Sequence, residues 1–374
     1  MDSRRVYGPD ILRAYAILTV VYAHSYDIVY KYVSAPILML PAVDGVTVFF
    51  VLSGYLIGNI TLRLVDKGRT SWADLLNFWQ RRWLRTLPNY MLVLTGLVLY
   101  ASLAGKDLPS SVAWYFAFLQ NFLSPHPAFF AEARSLSVEE WFYLLFPCAL
   151  FLALRFVRGS AAVVLCIATF ILVPTALRIW RIEALAPMDV ATLTSQVKMQ
   201  VVRRLDSIVY GVLTAFVLKT FQGMTSAWRR GLFASSVALF ALDKAQLYVV
   251  ESETYIRHFT LVVESLGTAL LLPYLSTIKT GAGKAFSFLT FTSKVSYAMY
   301  LLHYSVASYI VLPAIARALQ LGDGPGSDVV KFVLYWTLAY GLAYLLYRFY
   351  EQPILRLRDR LWPDPSAATL PSPR

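Results

Sequence analysis

Arg13 and His24 are the first two residues in this chain whose types and spacing could do chemistry. They stand eleven residues apart in one apolar run, and an eleven-residue period returns to the same face of a helix. Both side chains therefore point the same way, roughly 16 Å apart along the axis. Arg13 falls toward the inner side of a membrane and His24 in its outer half. An imidazole is suited to general-base or nucleophilic work near neutral pH. Burying either side chain in lipid costs a few kcal/mol, so an ionisable residue there is a functional candidate. The structural alternative is that Arg13 snorkels to the interface and His24 hydrogen-bonds a neighbouring helix. The shared face argues against it.

A second constellation is Ser135-Leu136-Ser137-Val138-Glu139-Glu140-Trp141-Phe142-Tyr143, which opens a helix from the outer side. Acids at a helix N-terminus are good dipole partners. Neighbouring residues diverge by about 100° on a helix, so only one of the two faces the bundle. Glu139 is the expected one, at a depth similar to His24. A carboxylate beside an imidazole fixes its tautomer and raises its basicity. Glu140 is left as a supporting residue.

The third is Arg81-Arg82-Trp83-Leu84-Arg85-Thr86-Leu87-Pro88. A basic cluster before a span sets topology. It also suits an anion site, with Arg82 and Arg85 on one face and able to fork onto phosphates. Lesser candidates for acceptor or supporting roles are Asp44, Ser53, Arg204, Asp206, Tyr297 and His303. Arg204 and Asp206 could simply neutralise each other, Ser53-Gly54 suits close helix contact, and Glu351 is expected to pair with an inner arginine.

The elements that position these residues are membrane helices. The 374 residues are 58% hydrophobic and only 15% charged, against about 25% charged in soluble domains. The net charge of +12 does not mark a nucleic-acid surface, because the basic residues gather at the ends of apolar segments. The 24 Tyr and 9 Trp suit two membrane–water interfaces. Cys148 and Cys166 lie inside apolar runs, giving neither a disulfide framework nor metal spacing. The first apolar run lacks a small-residue cleavage site and is expected to stay as an anchor.

Apolar stretches of spanning length occur at about 10–30, 43–62, 88–104, 136–154, 160–179, 203–220, 231–250, 257–276, 294–316 and 330–350. The expected fold is an all-α, polytopic membrane helix bundle of about ten transmembrane helices. Asp243 and Lys244 interrupt the seventh. With the N-terminus in the cytoplasm, about twice as many Lys and Arg fall inside as outside, which favours both termini cytoplasmic. Residues 105–135, with Trp114-Tyr115-Phe116, suit the outer interface, and 178–202 form a second outer loop. Residues 1–355 make up one membrane domain. Residues 356–374 make up a cytoplasmic tail, Pro- and Ser-rich from Trp362 and expected to be disordered.

Taken together, these segments resemble acyltransferase family 3, the integral membrane O-acyltransferases. The likeness rests on Arg13 and His24, on Gly45 to Ile57 with its Phe49-Phe50 pair and Ser53-Gly54, on Arg82-Trp83-Leu84-Arg85, and on Ser135 to Tyr143. Arg204-Leu205-Asp206-Ser207, Ser296 to His303 and Tyr350-Glu351-Gln352-Pro353 complete it. The segments come in family order and cover residues 10 to 353. Two positions depart from the pattern. Thr47 stands where the family often has Asp, and Arg134 where it often has Trp. Members without an appended soluble domain include nodulation-factor O-acetyltransferases, which this chain resembles in length.

The resemblance implies transfer of an acetyl or other short acyl group from acyl-CoA, used as co-substrate with no bound cofactor, to a sugar hydroxyl of a glycan or glycolipid. His24 would be the catalytic histidine, and Arg13, Arg82 and Arg85 would handle the donor. The implied site is a multi-pass protein of the bacterial inner membrane, with no nucleic-acid partner. The competing class is a transporter or flippase for a glycan or organic anion, which would use the same charges as a polar pathway. Against it, the halves of the chain show no inverted repeat.

Overall fold

The computed structural model describes residues 7–29, 32, 43–185 and 189–362, and no β-strand occurs among them. Helix is what a lipid environment selects, because each helix satisfies its backbone N–H and C=O groups internally. The ten long helices are α1 (Tyr7–Val29), α2 (Gly45–Asp66), α3 (Trp72–Leu103), α4 (Ala133–Ala153), α5 (Ser160–Ala184), α6 (Leu205–Thr220), α7 (Ser226–Ala245), α8 (Thr260–Leu275), α9 (Gly283–Leu302) and α10 (Pro325–Leu346). Every expected span falls on one of them.

Seven described segments are long and apolar enough to cross a membrane. They are α2, α3, α4, α5, α7 with its following turn, α9 continued to Ala318, and α10 continued to Leu361. This is fewer than the ten expected spans. The other three helices are α1, which carries Asp10, Arg13 and Asp27, and α6 and α8, of 16 residues each. The protein is a multi-pass membrane protein.

Local sequence explains several helix starts. Asp44 caps α2 by accepting from the Val46 and Thr47 amides. Ser71 and Asp74 form a reciprocal capping box on α3, which satisfies two amides that have no partner within the helix. α2 makes its most extensive contact with α6. A Cβ at Gly54 would strike the Ile208 carbonyl, and one at Gly211 the Val51 carbonyl. The expected close approach at Ser53-Gly54 is therefore an α2–α6 crossing.

Two boundaries differ from expectation, and the interruption in the seventh span is bridged. Residues 178–184 belong to α5 rather than to a loop, because Arg178 has a buried partner. α7 runs through Asp243 and Lys244, since buried Asp243 accepts from the Tyr255 hydroxyl at 2.8 Å and lies 3.8 Å from Lys244 Nζ. The expected tail at 356–374 begins inside a helix, α11 (Gln352–Leu361). Arg81 holds α11 through the Trp362 carbonyl and through Asp359 at 3.6 Å. Residues 363–374 lie outside the described residues.

Asp206 on α6 pairs with Arg178 at 2.7 Å, both side chains 1% exposed, and Arg178 also donates to the Arg203 carbonyl at 2.8 Å. The expected Arg204–Asp206 neutralisation is therefore replaced by a link between α5 and α6. Breaking a buried pair from one side strands the other charge. Arg178→Met is expected to destabilise by about 3–5 kcal/mol, read as a lower melting temperature of the detergent-purified protein. Arg178→Met with Asp206→Leu should recover most of that loss.

Candidate active site

α1, α2, α3, α4 and α9 enclose a cavity lined by Arg13, Ser53, Arg82, Arg85, Glu139 and Tyr297, among others. It shares Leu56, Arg82 and Arg85 with a wider vestibule between α2 and α3. The vestibule adds Arg63, Lys67, Arg81 and Arg358, and measures about 1300 Å³ counted to its open mouth. All three expected donor residues thus line one cavity, and two of them also line the basic vestibule leading to it.

Glu139 is the hub of the cavity wall. Its Oε2 accepts from the Tyr143 hydroxyl and from Ser53 Oγ at 3.3 Å, and lies 3.5 Å from Arg82 Nη2. Arg82 also donates to the Tyr143 hydroxyl and stacks 3.9 Å above its ring. The expected contact between Glu139 and His24 is therefore corrected. The carboxylate faces the arginine, because a buried charge is best met by an opposite charge with hydrogen bonds completing its shell. Arg82 and Arg85 share a face as expected but differ in duty. Arg82 is committed to Glu139, whereas Arg85 makes no ion pair among the described residues and lines both spaces.

His24 meets another histidine. His24 Nδ1 lies 2.8 Å from the Val20 carbonyl and 3.3 Å from His303 Nε2. His303 Nδ1 lies 2.8 Å from the Tyr300 carbonyl. That carbonyl can only accept, so His303 carries its proton on Nδ1 and presents Nε2 as an acceptor. His24 Nδ1 then faces two acceptors and must carry the proton. In the neutral ring, Nε2 of His24 is the basic nitrogen. The two rings lie 4.9 Å apart edge to face, and the Tyr304 ring packs 4.5 Å from His24. Neither histidine lines the cavity, whose nearest wall includes Phe49, Ser135 and Tyr300. Ser135 and Tyr300 are hydrogen-bonded across that wall, and the Tyr300 ring lies 5.8 Å from that of His303.

The remaining candidates separate. Tyr297 lines the cavity and donates to the Thr86 carbonyl at 2.7 Å. Asp44 pairs with Arg204 at 3.1 Å, and the Thr47 hydroxyl joins them by donating to Asp44 at 2.6 Å and accepting from Arg204 at 2.7 Å. Thr47, a departure from the family pattern, thus completes an ion pair. Glu140 is buried and lines a lateral apolar cleft with Trp83, Met91 and Trp141 rather than the cavity. Asp206 is held by Arg178, away from His24. Glu351, expected to pair with an arginine, instead accepts from Asn89 Nδ2 at 2.8 Å.

The acyltransferase family 3 model, an acyltransferase domain, matches residues 6–348. The chain belongs to that family. Peptidoglycan O-acetyltransferase OatA of Listeria monocytogenes is 24% identical over 375 residues, covering 94% of this chain and 56% of its own length. O-acetyltransferase OatA of Staphylococcus aureus is 25% identical, covering 94% of this chain and 58% of its own. The putative peptidoglycan O-acetyltransferase YrhL of Bacillus subtilis is 30% identical over 186 residues, 45% of this chain and 27% of its own length. The chain thus spans little more than half the length of the two OatA relatives. No solved structure matches it.

Sequence reasoning missed Tyr143 and Glu132. Tyr143 stands four residues after Glu139, and the i,i+4 rule would have found it. Glu132 contacts residues 172 and 173 positions away, which no local pattern reveals. The network also predicts unequal costs. Glu139→Ala strands the Arg82 charge and should cost on the order of 3 kcal/mol. His24→Ala removes ordinary hydrogen bonds and should cost about 1 kcal/mol. Thermal unfolding of the two purified variants compares them directly.

Proposed function

We propose that this protein is a membrane O-acyltransferase that moves an acetyl or other short acyl group from a cytoplasmic acyl-CoA to a hydroxyl of a glycan. One observation carries the reading: a basic vestibule and a charged cavity meet at Arg82 and Arg85. A coenzyme A thioester is anionic at its nucleotide end and thin along its arm. The vestibule arginines suit the phosphates through charge-assisted, forked hydrogen bonds, with Arg85 the best placed. The arm extends into the cavity toward Arg13 and Tyr300. The relatives' names, peptidoglycan O-acetyltransferase and O-acetyltransferase, support an acetyl group as cargo and a glycan as acceptor.

In this reading the vestibule faces the cytoplasm and His24 lies deeper in the membrane, past Tyr300. Nε2 of His24 removes the proton from a sugar hydroxyl as its oxygen attacks the thioester carbonyl. The C–S bond breaks and the coenzyme A thiolate leaves, taking the proton from Nε2 of His24, which returns to its basic form. His303 and the Val20 carbonyl hold the Nδ1 proton and stabilise the imidazolium that forms. In the variant with an acyl-histidine intermediate, the same nitrogen attacks the thioester first and expels the thiolate. The sugar hydroxyl then takes the acyl group from the nitrogen, its proton passing to the thiolate.

The test uses the full chain in nanodiscs, radiolabelled acetyl-CoA and purified peptidoglycan fragments. His24→Ala should reduce transfer to background while the protein stays folded, and near-normal transfer in that variant would overturn the reading. Arg85→Gln should raise the KM for acetyl-CoA by about tenfold, the weight of one charge-assisted contact, with a smaller effect on kcat. An unchanged KM would return Arg85 to a purely topological role.

A further inference from the structure

The start of α4, from its N-cap Glu132 to Ser135, grips the segment that carries His303, and it does so on both sides of that residue. At His303 the chain passes from the α-helical α9 into a π-helical stretch, His303–Val311. Such a change of frame shifts the partners of the backbone groups around it, and π-segments recur at functional sites. Here the backbone amides of Tyr304 and Ser305 donate to Glu132 Oε1 at 3.2 and 2.7 Å. The Ser305 hydroxyl donates to Glu132 Oε2. Three residues before the frame change, the Tyr300 carbonyl is reached by His303 Nδ1. One turn along α4, Ser135 bonds the Tyr300 hydroxyl and donates to the Glu132 carbonyl at 3.3 Å.

We infer that Glu132 is a positioning residue: by fixing Tyr304 and Ser305 it holds His303 Nε2 against His24 Nδ1 and so sets the orientation of the catalytic imidazole. This rests on the acyl-transfer reading of His24. Glu132 is 4% exposed and touches neither histidine in the described contacts; its action passes through two amides. Because the amides need only acceptor oxygens, the role is geometric and does not require a negative charge. Glutamine, with one carbonyl oxygen in the same place, can keep both amide bonds. Alanine cannot. A misplacement of about 1 Å at a reacting group can cost on the order of 10²-fold in rate.

Two readouts on the full chain in nanodiscs decide it. In the acetyl-transfer assay, Glu132→Ala is expected to lower kcat by about 100-fold with the KM for acetyl-CoA unchanged, and Glu132→Gln to retain activity within about threefold. In the second, diethyl pyrocarbonate labels histidines and each site is read by peptide mass spectrometry. Labelling of His24 should rise about tenfold in Glu132→Ala as His303 loses its seat, and stay near wild type in Glu132→Gln. Labelling of His258, which contacts Glu183 and Phe259 instead, should not change in either variant. The inference is overturned by wild-type His24 labelling in Glu132→Ala, by Glu132→Gln behaving like Glu132→Ala, or by His258 rising equally, which would signal general loosening. Labelling needs no acceptor, so it stands apart from the acyl-transfer reading, which normal transfer in His24→Ala would defeat on its own.

Discussion

A carboxylate removed from water has to be met on every side, and Glu139 imposes that condition on the centre of this protein. Its partners come from three helices: Ser53 from α2, Arg82 from α3 and Tyr143 from its own helix, α4. In a low-dielectric interior the desolvation of such a pair is recovered only when geometry and additional hydrogen bonds are good. The three helices are therefore pinned at one depth, and the cavity is the space left between them and the faces of α1 and α9. Arg82 cannot swing toward a ligand without leaving Glu139 uncompensated. Arg85, one turn on, carries no such obligation and is the cation available at the junction of cavity and vestibule.

The second organising contact joins α1 to the segment that follows α9. His24 and His303 share one proton-bearing edge, and the chain of acceptors from Tyr300 to Val20 leaves Nε2 of His24 as the basic atom. A histidine pair does in this way what a carboxylate–histidine pair does elsewhere, fixing tautomer and orientation. The division of labour follows from cost. Charge is concentrated at Arg82, Arg85 and Glu139 on the cavity wall, whereas the histidine pair is held against backbone carbonyls. The Ser135–Tyr300 contact separates the two regions.

Around this core, several other buried charges serve the scaffold. Arg178 with Asp206 joins α5 to α6, and Asp44, Thr47 and Arg204 tie the start of α2 to that of α6. The glycines at 54 and 211 bring α2 and α6 together closely enough for these polar bridges to form. Close backbone approach at small residues is how membrane helices associate when hydrophobic burial offers no net gain. These ties explain why several charged residues that resemble site candidates are absent from the cavity.

Much of the fold was legible in the residues. Helices of spanning length, their order and the candidacy of Arg13, His24, Arg82 and Arg85 follow from apolar run length, helical period and the cost of charge in lipid, all of which act locally. Glu139 was recognised as the acid facing the cavity for the same reason: adjacent residues on a helix diverge, although Glu140 is buried as well, beside a different cleft. Partners were not legible. Glu139 going to Arg82 rather than His24, Asp206 to Arg178 rather than Arg204, and His24 to His303 across 279 residues depend on which helix faces come together. The reach of α11 past residue 356 depends on Arg81. The sequence by itself determined which groups could not rest in lipid. Only the tertiary structure decided which of them satisfied one another, because a buried polar group takes its identity from the nearest partner in space, and that distance is not written along the chain.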